Sequence, residues 1–275
     1  MASGPLITAV QLADELAGSG APVVLDCRWD LAGGADRAGY EQGHLPGAVF
    51  VDLDRELAGP PGAGGRHPLP EAEAFAAVMR RAGVRRDRPV VAYDQGQPGG
   101  AARAWWLLGW FGHPDVRVLD GGLPAWVAAG LPLTTEVPEP EPGDFAARPG
   151  GRAVVDAAGA ARLAAAGVLL DVRAPGRYQG VEEPVDPVAG HIPGARNLPL
   201  TELVGDRGLV PTGRLRALLH GHGVGEGTPA GAYCGSGVAA AHLVLALEVA
   251  GVPAALYVGS WSDWSTRDLP IETGG

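Results

Sequence analysis

One set of motifs occurs twice in this chain, in the same order, and that repeat constrains the fold more than any other feature. The first half reads VVLDCRW (Val23 to Trp29), GYEQGHLPGAVFVDL from Gly39, PVVAYDQGQ from Pro89, and RVLDGGLPAW from Arg117 to Trp126. The second half reads VLLDVRA (Val168 to Ala174), GHIPGARNLPL from Gly190, PAGAYCGSG from Pro229, and YVGSWSDW from Tyr257 to Trp264. Asp171 follows Asp26 by 145 positions, His191 follows His44 by 147, Cys234 follows Asp94 by 140 and Gly259 follows Gly121 by 138. Offsets this constant describe two copies of one domain, and a chain of 275 residues accommodates two of about 130 to 140. We place the first domain at 1–135, a linker at 136–152 and the second domain at 153–275. The stretch from Thr134 to Gly151, TTEVPEPEPGDFAARPGG, is rich in Pro, Glu and Gly and predicts an extended connection.

Within each copy, strand-length apolar runs such as VVLD, VVAYD and RVLD are bounded by Gly, Pro or Asp. Helical composition falls between them, at 71–82 and 101–111 in the first copy and at 212–220 and 238–250 in the second. Alternation of this kind predicts α/β domains, each a small parallel sheet with helices on both faces. Ligands in such sheets bind where a strand ends and a helix begins. The segments YDQGQ and YCGSG occupy those positions.

Composition removes several function classes. Apolar residues make up 46% and charged residues 19%, enough for a sizeable core and too few charges for a disordered chain. The formal net charge of -10 argues against nucleic acid and anionic membrane as partners. All 21 basic residues are Arg, which excludes a lysine Schiff base and a P-loop lysine. Two cysteines, Cys27 and Cys234, build neither a disulfide framework nor a four-ligand zinc site, and His220 and His222 form a pair with no further ligand motif close by. The start MASGPLITAVQL lacks the pattern of a secretory signal. The most apolar stretch, Val238 to Val258, is interrupted by His242, Glu248, Gly251 and Pro253. The expectation is a cytoplasmic protein.

The loop Tyr233-Cys234-Gly235-Ser236-Gly237-Val238 places a cysteine between a strand and a helix N-terminus. The partial positive charge there, and backbone N–H groups that glycines let turn inward, both favour thiolate over thiol. A buried, inert cysteine is the ordinary fate of a free thiol, but a purely structural position has no need of flanking glycines. The matching loop Tyr93-Asp94-Gln95-Gly96-Gln97 carries Asp94 in place of the cysteine, so the first copy is expected to be catalytically silent. Cys27, inside VVLDCRWD with no adjoining glycine loop, reads as structural.

The paired GHLPGA and GHIPGA motifs, the cysteine loop and the GGLPAW/GSWSDW elements together resemble the tandem-domain rhodanese sulfurtransferases, over nearly the whole chain from about Ile7 to Ile271. The resemblance implies a covalent persulfide on Cys234 and no dissociable cofactor or metal. The neutral loop Cys234-Gly235-Ser236-Gly237-Val238-Ala239 is similar to that of 3-mercaptopyruvate sulfurtransferases; thiosulfate sulfurtransferases carry basic residues after the cysteine. By the same resemblance Ser236 works with a histidine and an aspartate of the first domain, aligned here with His44 and Asp36, in a proton relay. Arg177 matches the arginine that binds the donor anion, joined by the loop residues Gly235, Gly237, Val238 and Ala239. The second copy's His191 is expected to be structural. A second arginine, nine positions after Arg177, is replaced here by Asp186, and thiosulfate enzymes tend to be acidic there.

These features imply transfer of a sulfane sulfur from 3-mercaptopyruvate through Cys234 to a thiol, thioredoxin or cyanide. Thiosulfate is the alternative donor, and a non-enzymatic docking module the alternative class. Phosphatases of the same fold need Cys-x5-Arg, and the sixth position after Cys234 is Ala240. A tandem chain of this kind needs no partner subunit, so a monomer is expected.

Overall fold

In a computed structural model, which describes residues 4–96, 99–205 and 208–275, the chain forms two compact units. Residues 4–59 and 69–152 belong to the first, and 60–68 with 153–205 and 209–275 to the second. Segment 60–68 thus lies in sequence between two helices of the first copy, Leu53–Glu56 and Ala72–Arg81, yet packs within the second unit. Gln97, at the end of the first loop, lies outside the described residues.

Each unit is built on a five-stranded parallel sheet, and the strand order is the same in both. In the first the order is Leu6–Ile7, Val116–Leu119, Val90–Tyr93, Val23–Asp26, Val49–Phe50. In the second it is Val154–Val155, Ala254–Tyr257, Ala230–Tyr233, Val168–Asp171, Arg196–Asn197. The central strands Val90–Tyr93 and Ala230–Tyr233 are buried along their whole length. That is why they read as short apolar runs without alternation. Register follows the repeat: Asp26 pairs with Tyr93, and Asp171 with Tyr233.

The helices lie close to their expected positions, at Ala72–Arg81, Gly100–Trp110, Thr212–Gly221 and Val238–Ala250. Glu71 caps the first of these through its side chain, and Arg80 and Arg81 sit at its C-terminal end, where cations are favoured. Val238–Ala250 is apolar almost all round and mostly buried; it stops at Gly251, whose φ of 84° supplies the left-handed cap. Ile7, Leu12, Val24, Leu45, Val91, Tyr93 and Trp126 make up most of one core. Leu169, Ile192, Tyr233, Tyr257, Trp261 and Trp264 make up most of the other. The Pro-rich connection carries no helix or sheet strand and is laid along the first unit. Gly143, Phe145, Arg148 and Gly151 donate backbone hydrogen bonds to Arg80, Val84, Phe111 and Trp110, and the Phe145 ring is buried edge-on against Phe75.

Candidate active site

Strand Ala230–Tyr233 delivers Cys234 to a nearly closed position, 4% exposed. Gly237 sits in the left-handed region at φ 79°, and its N–H donates to Cys234 Sγ at 3.1 Å. A side chain at Gly237 would lie 2.3 Å from the Val258 carbonyl, so only glycine permits this turn. An N–H aimed at the sulfur is the contact that a thiolate or a persulfide anion accepts. The backbone of Cys234 is fixed on both sides. Its N–H donates to Ser260 Oγ at 3.1 Å, and its carbonyl accepts from Trp261 at 2.9 Å. Ser260 holds a positive φ of 53° that serine seldom adopts, and its hydroxyl in turn donates to the Tyr257 carbonyl.

Segment 60–68 brings two side chains to this loop. His67 Nδ1 lies 2.7 Å from Ser236 Oγ, both residues being buried. Arg66 donates its backbone N–H to Ser262 Oγ at 3.0 Å and its guanidinium to Asp186. Gly65 makes the approach possible: at φ 95°, a side chain there would lie 2.6 Å from the Gly259 carbonyl. A Cβ on Gly235 would stand 2.9 Å from Arg66 Nη2 and 3.6 Å from both Nη atoms of Arg177. The residue after the cysteine is therefore faced by two guanidinium groups.

Arg177 is held from behind. Glu183 takes its Nε and Nη2 at 3.0 and 2.7 Å, and Asp186 takes Nη2 at 2.9 Å. Burial alone would push Glu183 up; hydrogen bonds from Arg177 and from the Asp186 and Val185 amides outweigh it and hold the carboxyl below its ordinary value. At Asp186 the balance is reversed: burial keeps the carboxyl above its ordinary value despite Arg66 and Arg177. Deeper still, Arg173 makes a bidentate pair with Asp171 and lies over the Trp261 ring, tying the sheet to the loop that holds Cys234.

The structure thus brings together Cys234, Ser236, Gly235, Gly237 and Arg177, with Val238 opening the helix behind the sulfur and Ala239 on its first turn. His44 and Asp36 are engaged within the first unit instead. Both ring nitrogens of His44 lie within hydrogen-bond distance of backbone carbonyls, Tyr40 at 2.8 Å and Glu136 at 3.0 Å, and the ring stacks on Tyr40. In the second copy His191 Nδ1 lies 2.8 Å from the Tyr178 carbonyl with its ring on Tyr178, while its Nε2 faces the Glu272 carboxylate at 3.7 Å. The HxPGA histidine is a loop tie in both units. Asp36 is an exposed cap: its Oδ1 accepts from the Gly39 amide at the start of helix Arg37–Gln42. The histidine on Ser236 is His67.

Sequence reading passed over Arg66 and His67 because they sit in a Gly- and Pro-rich stretch. One signal was present, since GRHPLP has no counterpart in the second copy between GHIPGARNLPL and the helix at Thr212. Cys27 is fully buried, and burial followed by the Asp26 charge pushes its thiol well up, which suits an inert side chain. Both ring nitrogens of His222 lie within hydrogen-bond distance of carbonyls, Leu218 at 3.0 Å and Asn197 at 2.9 Å. Among the described residues no cluster of metal-ligating side chains occurs, and no helix is long and apolar enough to cross a membrane.

Comparison with known proteins identifies the family. The chain is 48% identical over 269 residues to the Mycobacterium tuberculosis protein SseB, named a thiosulfate sulfurtransferase, covering 95% of this chain and 94% of that protein. It is 47% identical to a Pseudomonas aeruginosa protein named a 3-mercaptopyruvate sulfurtransferase, over the whole of both chains. The 3-mercaptopyruvate sulfurtransferase of Escherichia coli is 40% identical over 90% of this chain and 91% of its own. The crystal structure of Escherichia coli SseA superposes with a TM-score of 0.82 at 36% identity, covering 94% of this chain and all of that one. The family model of the rhodanese-like domain matches twice, at residues 8–129 and 156–267. With two copies of that domain and a cysteine loop in the second, the chain belongs to the rhodanese family and is a sulfurtransferase.

Proposed function

We propose that the chain takes sulfur from 3-mercaptopyruvate and carries it as a persulfide on Cys234 to a thiol, thioredoxin or cyanide. The observation that carries this choice of donor is the hydrogen bond between Ser236 and His67 beside the cysteine. The Cys234 thiolate attacks the donor's sulfur, an S–S bond forms, and the C–S bond breaks with its electron pair passing to carbon. The product is pyruvate enolate, which needs a proton at its methylene carbon; the donor's thiol has one to lose. A hydroxyl hydrogen-bonded to an imidazole can hold and pass that proton. The S–S− group left on Cys234 is placed to accept the Gly237 amide. An acceptor nucleophile then attacks the outer sulfur and restores the thiolate, which gives ping-pong kinetics. No metal or dissociable cofactor enters these steps. A chain that carries both copies of the domain needs no partner subunit, which supports a monomer.

Thiosulfate is a second reading, favoured by the two guanidinium groups facing Gly235, since it is a dianion and its sulfite leaving group needs no proton. Steady-state kinetics with each donor and a common thiol acceptor decide between them. We expect kcat/KM to favour 3-mercaptopyruvate by about tenfold or more, ~1.4 kcal/mol of transition-state binding. An equal preference for thiosulfate would overturn the assignment.

A further inference from the structure

We propose that Arg66 is the second donor-binding residue of this site, supplying from segment 60–68 a guanidinium that the Arg177 segment lacks, with Asp186 as the residue that positions it. The inference deepens the sulfurtransferase reading and rests on it.

Asp186 stands nine positions after Arg177, where a second arginine was expected from the resemblance. An acidic residue there would on its own repel an anionic donor. The structure gives it a different task. One carboxylate oxygen accepts from Arg66 Nη1 and the other from Arg177 Nη2, and the Asp186 side chain is only 2% exposed. The carboxylate is a strut between two arginines from distant parts of the sequence. Its charge is spent on them, and Glu183 takes the rest of the rear face of Arg177.

What remains of each guanidinium points forward. Arg177 Nη1 and Arg66 Nη2 both border the position that a side chain on Gly235 would occupy, directly after the reactive cysteine. Arg66 Nε is buried with no hydrogen-bond partner among the described residues. A buried guanidinium N–H without an acceptor is costly, and an anion that reached it would relieve that cost. Two forks converging on one small space suit a carboxylate or a sulfonate-like oxygen group, bound bidentately. Arg66 and Arg177 balance Asp186 and Glu183 in formal charge, so the site selects by donor geometry more than by net charge.

The test compares wild type with Arg66→Ala, Arg66→Lys, Asp186→Asn and the Arg66→Ala/Asp186→Asn double variant, each with 3-mercaptopyruvate and with thiosulfate. Arg66→Ala is expected to raise KM for the working donor about tenfold, ~1.4 kcal/mol, while kcat changes less than about threefold. Lysine restores only part of the loss, because it lacks the fork. Asp186→Asn raises KM severalfold, and the double variant is no worse than Arg66→Ala alone, since both act through one guanidinium. An unchanged KM in Arg66→Ala overturns the proposal; a lowered KM in Asp186→Asn makes that carboxylate a competitor of the donor and overturns its positioning role. Calorimetric titration of pyruvate, and separately of sulfate, into wild type and Arg66→Lys keeps the outcome independent of turnover. Weaker binding to the variant supports Arg66, with pyruvate or sulfate marking the anion class; equal binding, or none to wild type, counts against it. A wild type that turns over neither donor sinks the functional reading alone, and the titration still decides Arg66.

Discussion

The two strand-to-helix loops, at Asp94 and at Cys234, share a scaffold and differ in what fills it. Each follows a tyrosine at the end of a fully buried strand, and each tyrosine hydroxyl accepts the amide of the residue after the HxPGA histidine, Leu45 or Ile192, at 3.2 Å. Behind each stands an Asp–Arg pair, Asp26 with Arg28 and Asp171 with Arg173. In both loops the residue in question accepts backbone N–H groups: Asp94 from Gly96 and Ala101, Cys234 from Gly237. The cradle therefore points backbone N–H donors at the side chain in both units, and the backbone alone does not make an active site. What the second unit adds is the side chains that face the cradle, Arg177 from its own sequence and Arg66 and His67 from segment 60–68. In the first unit the place of Arg177 falls on Gly39, just before Tyr40 as Arg177 is just before Tyr178.

The strongest way to break this comparison is to move the nucleophile. Cys234→Ser removes the sulfur that forms the persulfide, and turnover with every donor should fall to background. Adding Asp94→Cys to that variant restores the cysteine to an intact cradle in the first unit. No rescue is expected, because an aligned thiol without arginines and without a Ser–His pair has neither donor binding nor proton transfer. Measurable sulfur transfer by the double variant, read as thiocyanate formed from cyanide, would show that the cradle suffices.

The next effect separates two histidines. Ser236→Ala and His67→Ala should each lower kcat with 3-mercaptopyruvate by about 10²-fold and leave thiosulfate turnover nearly unchanged, since general acid–base catalysis contributes on that scale. The pair acts as a unit, so the double variant should match the worse single one. His44→Ala removes a buried ring that lies between two backbone carbonyls, which costs about 1–3 kcal/mol of stability. Its Tm should drop by several degrees while kcat per folded molecule stays within about threefold. A kcat loss in His44→Ala equal to that in His67→Ala would return His44 to the relay.

That contrast also marks what the sequence made legible. The repeat, the parallel α/β architecture and the cysteine loop were readable because each lies in a local pattern, an apolar run or a glycine turn whose physics acts over a few residues. His44 misled for the same reason: it belongs to the most recognisable motif, and that motif is a loop tie repeated at His191. Arg66 and His67 lie in a stretch with no periodicity, and their role depends on segment 60–68 packing with a domain that begins about 90 residues later. Only tertiary structure joins them to Cys234. Asp186 could be read by sign but not by partner, since its partner is 120 positions away.

The smallest expected effect sharpens the comparison at Asp94. Burial pushes its carboxyl up to about 7, with the Gly96 and Ala101 amides opposing. The folded state thus holds a proton that the unfolded state releases near pH 4. Stability associated with that proton is complete below pH 4 and is lost as pH rises from about 4 through about 7. Asp94→Asn keeps a carbonyl oxygen for the loop amides and has no proton to lose. Denaturant titrations across this range should show the variant gaining on wild type as pH rises, by about 2 kcal/mol or more at pH 8, with the gain levelling off above 7. A constant difference would mean that Asp94 stays ionised throughout, and its cradle would then bind an anion as fully as the loop of Cys234 does.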